Sequence, residues 1–210
     1  MLAACATTPA GDSAASSQPS SATATPVSSA FKPDRTLGLC PKINVRNAPA
    51  TDSDGGVAGY RPFINVENEV VIAVDPVNGA CLTSGFGLRS DRPHKGVDFQ
   101  SNPAGTIHAV AAATVLEAGY RDDYGNYIVL EHTPNVFTRY AHLASIASGV
   151  TVGAHLPFGA TLGVMGNTAK TPIALHLHYE LLVGDYDTPK KSFGLMPKDP
   201  FTYPFVEQGE

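Results

Sequence analysis

The sequence has no tryptophan and only three cysteines in 210 residues. So few cysteines exclude a fold held by a dense disulfide framework. Charge is sparse as well: 16% of residues are charged, the net charge is −5, and Lys and Arg form no cluster. That excludes the basic face by which nucleic-acid binders are recognised. Long apolar runs are missing. The stretch from Val110 to Ala118 is apolar but far short of the roughly 20 residues of a membrane-spanning helix. No long amphipathic helical pattern stands out. Gly (20) and Pro (17) are plentiful in a background that is 43% hydrophobic. Short apolar stretches broken by turn residues predict an all-β fold with a buried core.

Two stretches carry the chemistry. The first is His94-Lys95-Gly96-Val97-Asp98-Phe99. Pro93 and Gly96 argue against a helix there, so a bent strand has to aim His94 and Asp98. In the second, Leu175, Leu177, Tyr179 and Leu181 alternate with His176, His178 and Glu180. A period of two predicts a half-buried strand with both histidines on one face. Three of these side chains can hold a zinc ion, and a fourth position left open would make the site catalytic. Either stretch alone has a plainer reading as a surface or core-edge pair. Between them lies Thr138-Arg139-Tyr140-Ala141-His142-Leu143, whose alternation places Tyr140 and His142 on one face.

The order His-x-x-x-Asp, Tyr-Ala-His-Leu and His-Leu-His-Tyr-Glu resembles the lysostaphin and LytM family of zinc endopeptidases, which cut peptidoglycan peptides. Thr83 to Arg89 resembles the glycine-rich strand before the first ligand, Pro103 to Thr106 the turn after it, and Tyr124 to Tyr127 the hairpin before the central strand. The likeness covers residues 81–182. It implies a curled antiparallel sheet with an open groove. It also implies one Zn2+ held by His94, Asp98 and His178, with His142 and His176 as catalytic groups, either of them the general base. Imidazole suits that work because it titrates near neutral pH. Arg89 and Asn126 are read as substrate contacts or turn residues. Tyr140 is read as a hydrogen-bond donor to substrate or as packing at the groove floor. Glu180 supports a histidine or lies on the surface. Many members carry a Ser-Thr-Gly-Pro turn before His-x-His. Here the run is Thr168 to Leu175, so that wall of the groove has its own shape.

Three regions are expected. In residues 1–31, Leu-Ala-Ala-Cys5 resembles a bacterial lipobox, with Cys5 lipidated and Ala6 directing the chain to the outer membrane; the other reading is a chance Cys. From Ala6 to Ala30 all but four residues are Ser, Thr, Ala or Pro. Such a segment cannot bury enough apolar surface to fold and is expected to be a disordered tether. Residues 32–80 are expected to pack on the peptidase domain, which spans 81–206. Cys40 and Cys81 are expected to pair in an oxidising periplasm, or else to be two buried thiols. In some relatives an N-terminal segment covers the metal, and residues 32–80 are a candidate for that. Strands are expected over Glu69–Val74, Thr106–Val115, Tyr127–Glu131, Thr138–Leu143 and Leu175–Val183. The expected activity is cleavage of peptide crosslinks, D-Ala to diaminopimelate, by a periplasmic lipoprotein whose partners are peptidoglycan stems and, through the anchor alone, a membrane. The rival is a relative that has lost catalysis and activates murein amidases by binding.

Overall fold

The computed structural model describes Met1 and residues 31–89, 92–186 and 191–206. Cys5 and the tether from Leu2 to Ala30 lie outside the described residues.

The hairpin β1 (Phe63–Val66) and β2 (Val70–Ala73) comes first. β3 (Cys81–Ser84), β4 (Gly87–Arg89), β5 (Arg92–His94) and β6 (Val97–Gln100) lead into the first histidine motif. β7 (Thr106–His108) precedes the long strands β8 (Ala113–Arg121), β9 (Gly125–Thr133) and β10 (Val136–Leu143). β11 (Ser145–Ile146), β12 (His155–Leu156) and β13 (Thr161–Val164) are short, and β14 (Leu177–Val183) carries the second motif. β15 (Met196–Lys198), a 3-10 turn (Pro200–Thr202) and β16 (Phe205–Val206) follow. Among the described residues no helix is long and apolar enough to cross a membrane.

The fold is all-β. The main sheet runs β12-β8-β9-β10-β14-β6-β3, with β15 added against β14. Its pairs are antiparallel. One face carries the core. Phe99, Ile128, Leu130, Tyr140, Leu177, Tyr179 and Leu181 have no exposed surface. Phe31, Leu37, Val57, Tyr60 and Phe63 from the N-terminal segment belong to the same apolar cluster. That segment also follows the outer edge of β3. Leu39 bridges Leu82 and Arg46 bridges Ser84, both in parallel. Cys40 and Cys81 are joined by a disulfide, with their Cα atoms 4.9 Å apart.

Two sequence expectations change. Thr106 to Val115 is two strands: β7 pairs with β13 and β8 with β9, in different sheets. Between them Ala73 N–H donates to the Val110 carbonyl and Ala109 N–H to the Ala160 carbonyl. The run contains no turn residue, so its break is dictated by partners distant in sequence. The last strand starts at Leu177, and His176 makes only an isolated bridge to Gly166.

Candidate metal centre

β6 and β14 are neighbours, and their register sets Asp98 directly opposite His178. β5 ends on His94, and Lys95-Gly96 bends the chain into β6. Gly96 is required by close approach, because a Cβ there would run into the Tyr179 carbonyl of β14. Gly85 is in the same position against the Asn47 carbonyl of the N-terminal segment.

Three buried side chains converge: His94, Asp98 and His178. His94 Nε2 is 3.0 Å from Asp98 Oδ1 and 3.0 Å from His178 Nδ1. His178 Nδ1 is 2.9 Å from Asp98 Oδ1. Each ring's other nitrogen faces an acceptor. His94 Nδ1 lies 2.7 Å from the Gly85 carbonyl, and His178 Nε2 lies 3.0 Å from Glu180 Oε1. With those nitrogens donating, both inner nitrogens present lone pairs to the point faced by Asp98 Oδ1. Outer hydrogen bonds that orient imidazoles in this way are a regular part of metal sites. Arg89, also 2.7 Å from His94 Nδ1, holds Asp98 Oδ2 and leaves Oδ1 for the centre.

The electrostatics favour a cation at this point. Burial pushes the Asp98 carboxyl up, but hydrogen bonds and charge from His178 and His94 outweigh it and hold it well below the usual carboxylate range. Burial pulls His178 down, but Asp98 and Glu180 outweigh that and push it up to about 9. Without a metal, the two carboxylates therefore keep a proton on the imidazole between them. A divalent ion held by His94, Asp98 and His178 would take the place of that proton. The donor set, two imidazole nitrogens and one carboxylate oxygen, fits a single metal ion with a position left open.

His142 and His176 stand beside the centre. Their ring centroids are 4.8 Å apart, and that of His142 is 5.9 Å from His178. His142 Nδ1 is 2.9 Å from the Thr168 carbonyl, and His176 Nδ1 is 2.8 Å from the Ala174 carbonyl. A carbonyl only accepts, so in the neutral form of each ring Nδ1 carries the proton and Nε2 the lone pair. His176 Nε2 is 3.8 Å from Asp98 Oδ1, beyond the ligand triangle. Burial pulls His142 down to about 4, so its ring is neutral at pH 7. All five residues line one open cavity of about 480 Å³ with Tyr124 and Glu180.

Tyr140 is corrected by the structure. Regular alternation puts it with His142 on one face, yet its ring is fully buried in the core against Tyr179 (centroids 5.4 Å). The register of β10 against β9 shifts between Tyr140 and Leu143, and His142 adopts φ +67°. This bulge turns His142 out of the core and onto the site face. A non-glycine residue held in the left-handed region stores strain that surrounding bonds must offset. Here His142 N–H donates to the Tyr124 carbonyl at 2.8 Å. Asn126 does not line the cavity; its Nδ2 donates to the Leu143 carbonyl at 3.0 Å and so ties down the bulge. Arg89 does line it, while bonded to Asp98.

Sequence reasoning missed Arg139, Tyr124 and Thr168. Arg139 is buried, lies directly across from Glu180 and pairs with it. Its NH2 donates to the Ser192 carbonyl and Oγ at 3.0 and 2.8 Å. The Tyr124 hydroxyl donates to Glu180 Oε1 at 2.8 Å. Glu180, read as a support or a surface group, has no exposed surface. Two opposite charges inside otherwise apolar strands were the available signal.

Residues 92–189 match peptidase family M23. That stretch is just under half of the chain and is similar to the family's peptidase domain. The peptidoglycan DD-endopeptidase ShyA of Vibrio cholerae is 37% identical over 92 residues, 43% of this chain and 20% of that protein. The DD-carboxypeptidase/endopeptidase Mpg of Neisseria meningitidis is 29% identical over 137 residues, 61% of this chain and 29% of that protein. The chain thus spans under a third of the length of these curated relatives. The catalytic domain of lysostaphin from Staphylococcus simulans superposes on 60% of this chain and 92% of its own length, with TM-score 0.50 and 27% identity. A zinc-containing peptidase from Vibrio cholerae covers 65% of this chain and 44% of its own, with TM-score 0.52. At 24% identity that likeness speaks for the fold alone. Cys40, Arg46, Cys81 and Arg89 lie outside the M23 match.

Proposed function

We propose that the chain is a zinc-dependent endopeptidase that hydrolyses peptide crosslinks of peptidoglycan, with the D-Ala to diaminopimelate bond as its target. The reading rests on one observation. Three metal-donor atoms converge beside two further imidazoles whose Nε2 lone pairs are left free. His94, Asp98 and His178 hold the ion, which supplies Lewis acidity at neutral pH when bound. His142 and His176 accept and return the proton that hydrolysis moves from water to the leaving amine. Because burial keeps His142 neutral at pH 7, it is ready to accept. The open groove admits an extended chain, and the run from Thr168 to Leu175 forms one wall. The names of the curated relatives support a peptidoglycan substrate.

In this proposal the residues before Phe31 are a tether lipidated at Cys5, which holds the protein at the outer membrane, facing the periplasm; Phe31 itself is buried in the core. Residues 32–80 brace the domain at 81–206. They do not line the cavity of about 480 Å³ around the candidate ligands, while Ile43, Asn44 and Arg46 line the cavity beside it.

The test is incubation of the full chain with crosslinked sacculi, with and without a zinc chelator, and mass analysis of the released muropeptides. Chelator-sensitive conversion of dimers to monomers is expected, and the new chain ends name the bond. Intact dimers from a chain that binds no zinc would favour a binding role as an amidase activator instead.

A further inference from the structure

The groove continues past the metal centre into a second cavity of about 540 Å³, which shares Arg89, Asp98 and His176 with the first. Its outer wall comes from outside the M23 match: Ile43, Asn44 and Arg46 belong to the N-terminal segment. The main chain of that wall is fixed. Gly85 N–H donates to the Arg46 carbonyl at 2.8 Å, Asn47 Nδ2 donates to the Leu88 carbonyl at 3.1 Å, and the Cys40–Cys81 disulfide fastens the segment six residues before Arg46. The Arg46 side chain is exposed, and among the described residues its guanidinium has no hydrogen bond or ion pair.

Several other groups of this cavity are engaged or apolar. Arg89 is bound to Asp98, and Gln100 Nε2 donates to the Leu175 carbonyl at 3.1 Å, which leaves Gln100 Oε1 free. Ile43, Ala174 and Leu175 supply aliphatic walls. In the adjoining cavity Asp98, Asp123 and Glu180 are each paired to an arginine. Arg92 and Lys95 on its lining are exposed and make no ion pair among the described residues. The uncompensated charge along the groove is therefore positive, in a chain whose net charge is −5.

We propose that the second cavity is a substrate subsite for a free carboxylate carried on a short aliphatic arm, and that Arg46 binds it. An arginine can offer a carboxylate two parallel N–H donors, which fixes geometry as well as charge. The N-terminal segment then contributes specificity to a site whose chemistry lies in the M23 domain. This inference rests on the peptidase reading above and narrows its substrate to peptides with an acidic group close to the scissile amide.

The test uses two crosslinked peptides that differ only in carrying a carboxylate or a carboxamide beside the scissile amide. Each is also made with a reduced, uncleavable –CH2–NH– bond. The full zinc-loaded chain is expected to bind the carboxylate analogue about ten-fold more tightly than the carboxamide. Arg46→Gln should abolish that preference, and Arg46→Lys should keep part of it. In turnover, the same ratio should appear in kcat/KM. Equal binding of both analogues by the unaltered chain, or an unchanged preference in Arg46→Gln, overturns the subsite. If the analogues bind as expected but neither cleavable peptide is cut, the subsite stands and the peptidase reading falls. If both are cut without discrimination, the reverse holds.

Discussion

Glu180 has no exposed surface, yet it meets three partners: His178, Tyr124 and Arg139. Burial pushes its carboxyl up, and the hydrogen bond and charge of His178 with the charge of Arg139 bring it below the ordinary range. It therefore stays an anion and fixes the tautomer of His178, a candidate metal ligand. Glu180→Gln removes the charge and should weaken zinc binding by about 10–100-fold. Competition against a chromophoric chelator measures this, and an unchanged affinity would remove Glu180 from the account. Asp75 makes a pH prediction. It is buried, and burial raises its carboxyl to about 8 from the ordinary value of 3.8. A folded-state value above the unfolded one means that the folded chain holds the proton more tightly. The associated stability is fully present below about pH 4 and is lost as pH rises toward about 8. Asp75→Asn keeps an acceptor for the Val77 N–H, now 2.8 Å from Oδ1, and cannot ionise. Melting curves from pH 4 to 8 should fall less steeply for the variant than for the unaltered chain; parallel slopes would contradict this.

At the scale of elements, the site is a crossing of two strands, a bend and a bulge. The strand and the bend were legible. Alternation from Leu177 onward places His178 and Glu180 opposite a buried Leu and Tyr, and Pro93 with Gly96 excludes a helix. The bulge was not legible. Tyr-Ala-His-Leu reads as unbroken alternation, and only the pairing of β10 with β9, held by Asn126 and Thr168, turns His142 outward. That is why His142 was found through resemblance while the face of Tyr140 was misread. The break after β7 was hidden for a related reason, since its partners lie far along the chain. Gly96 marks a close approach of the chain to β14. Gly96→Ala should separate β6 from β14, costing about 1–3 kcal/mol of stability and most of the metal affinity. Urea unfolding with metal titration measures both, and native-like values would show that the strands can yield.

At the scale of the molecule, the N-terminal segment shares one core with the strands that carry the site and is tied to β3 by one disulfide. The Cys40–Cys81 bond closes a separation of 41 residues. In the chain-entropy view such a loop stabilises the fold by about 4 kcal/mol. Replacing both cysteines by Ser should lower the urea midpoint and, if Arg46 acts as proposed, blunt the carboxylate preference before it affects cleavage of the carboxamide peptide. The pairing itself was expected from sequence on the grounds of compartment alone. Where the segment runs was not, because its contacts with β3 are main-chain bridges that leave no side-chain pattern. In the proposed function the chemistry of the whole molecule depends on a single ion held by His94, Asp98 and His178, whose donor atoms converge. The most direct measurement is the zinc content of the purified, folded full chain, by mass spectrometry under native conditions. The account predicts one zinc per chain, lost when Asp98 and His178 are both replaced by Ala in a chain that still folds. A folded chain that takes up no zinc, or a double variant that keeps it, would contradict the account.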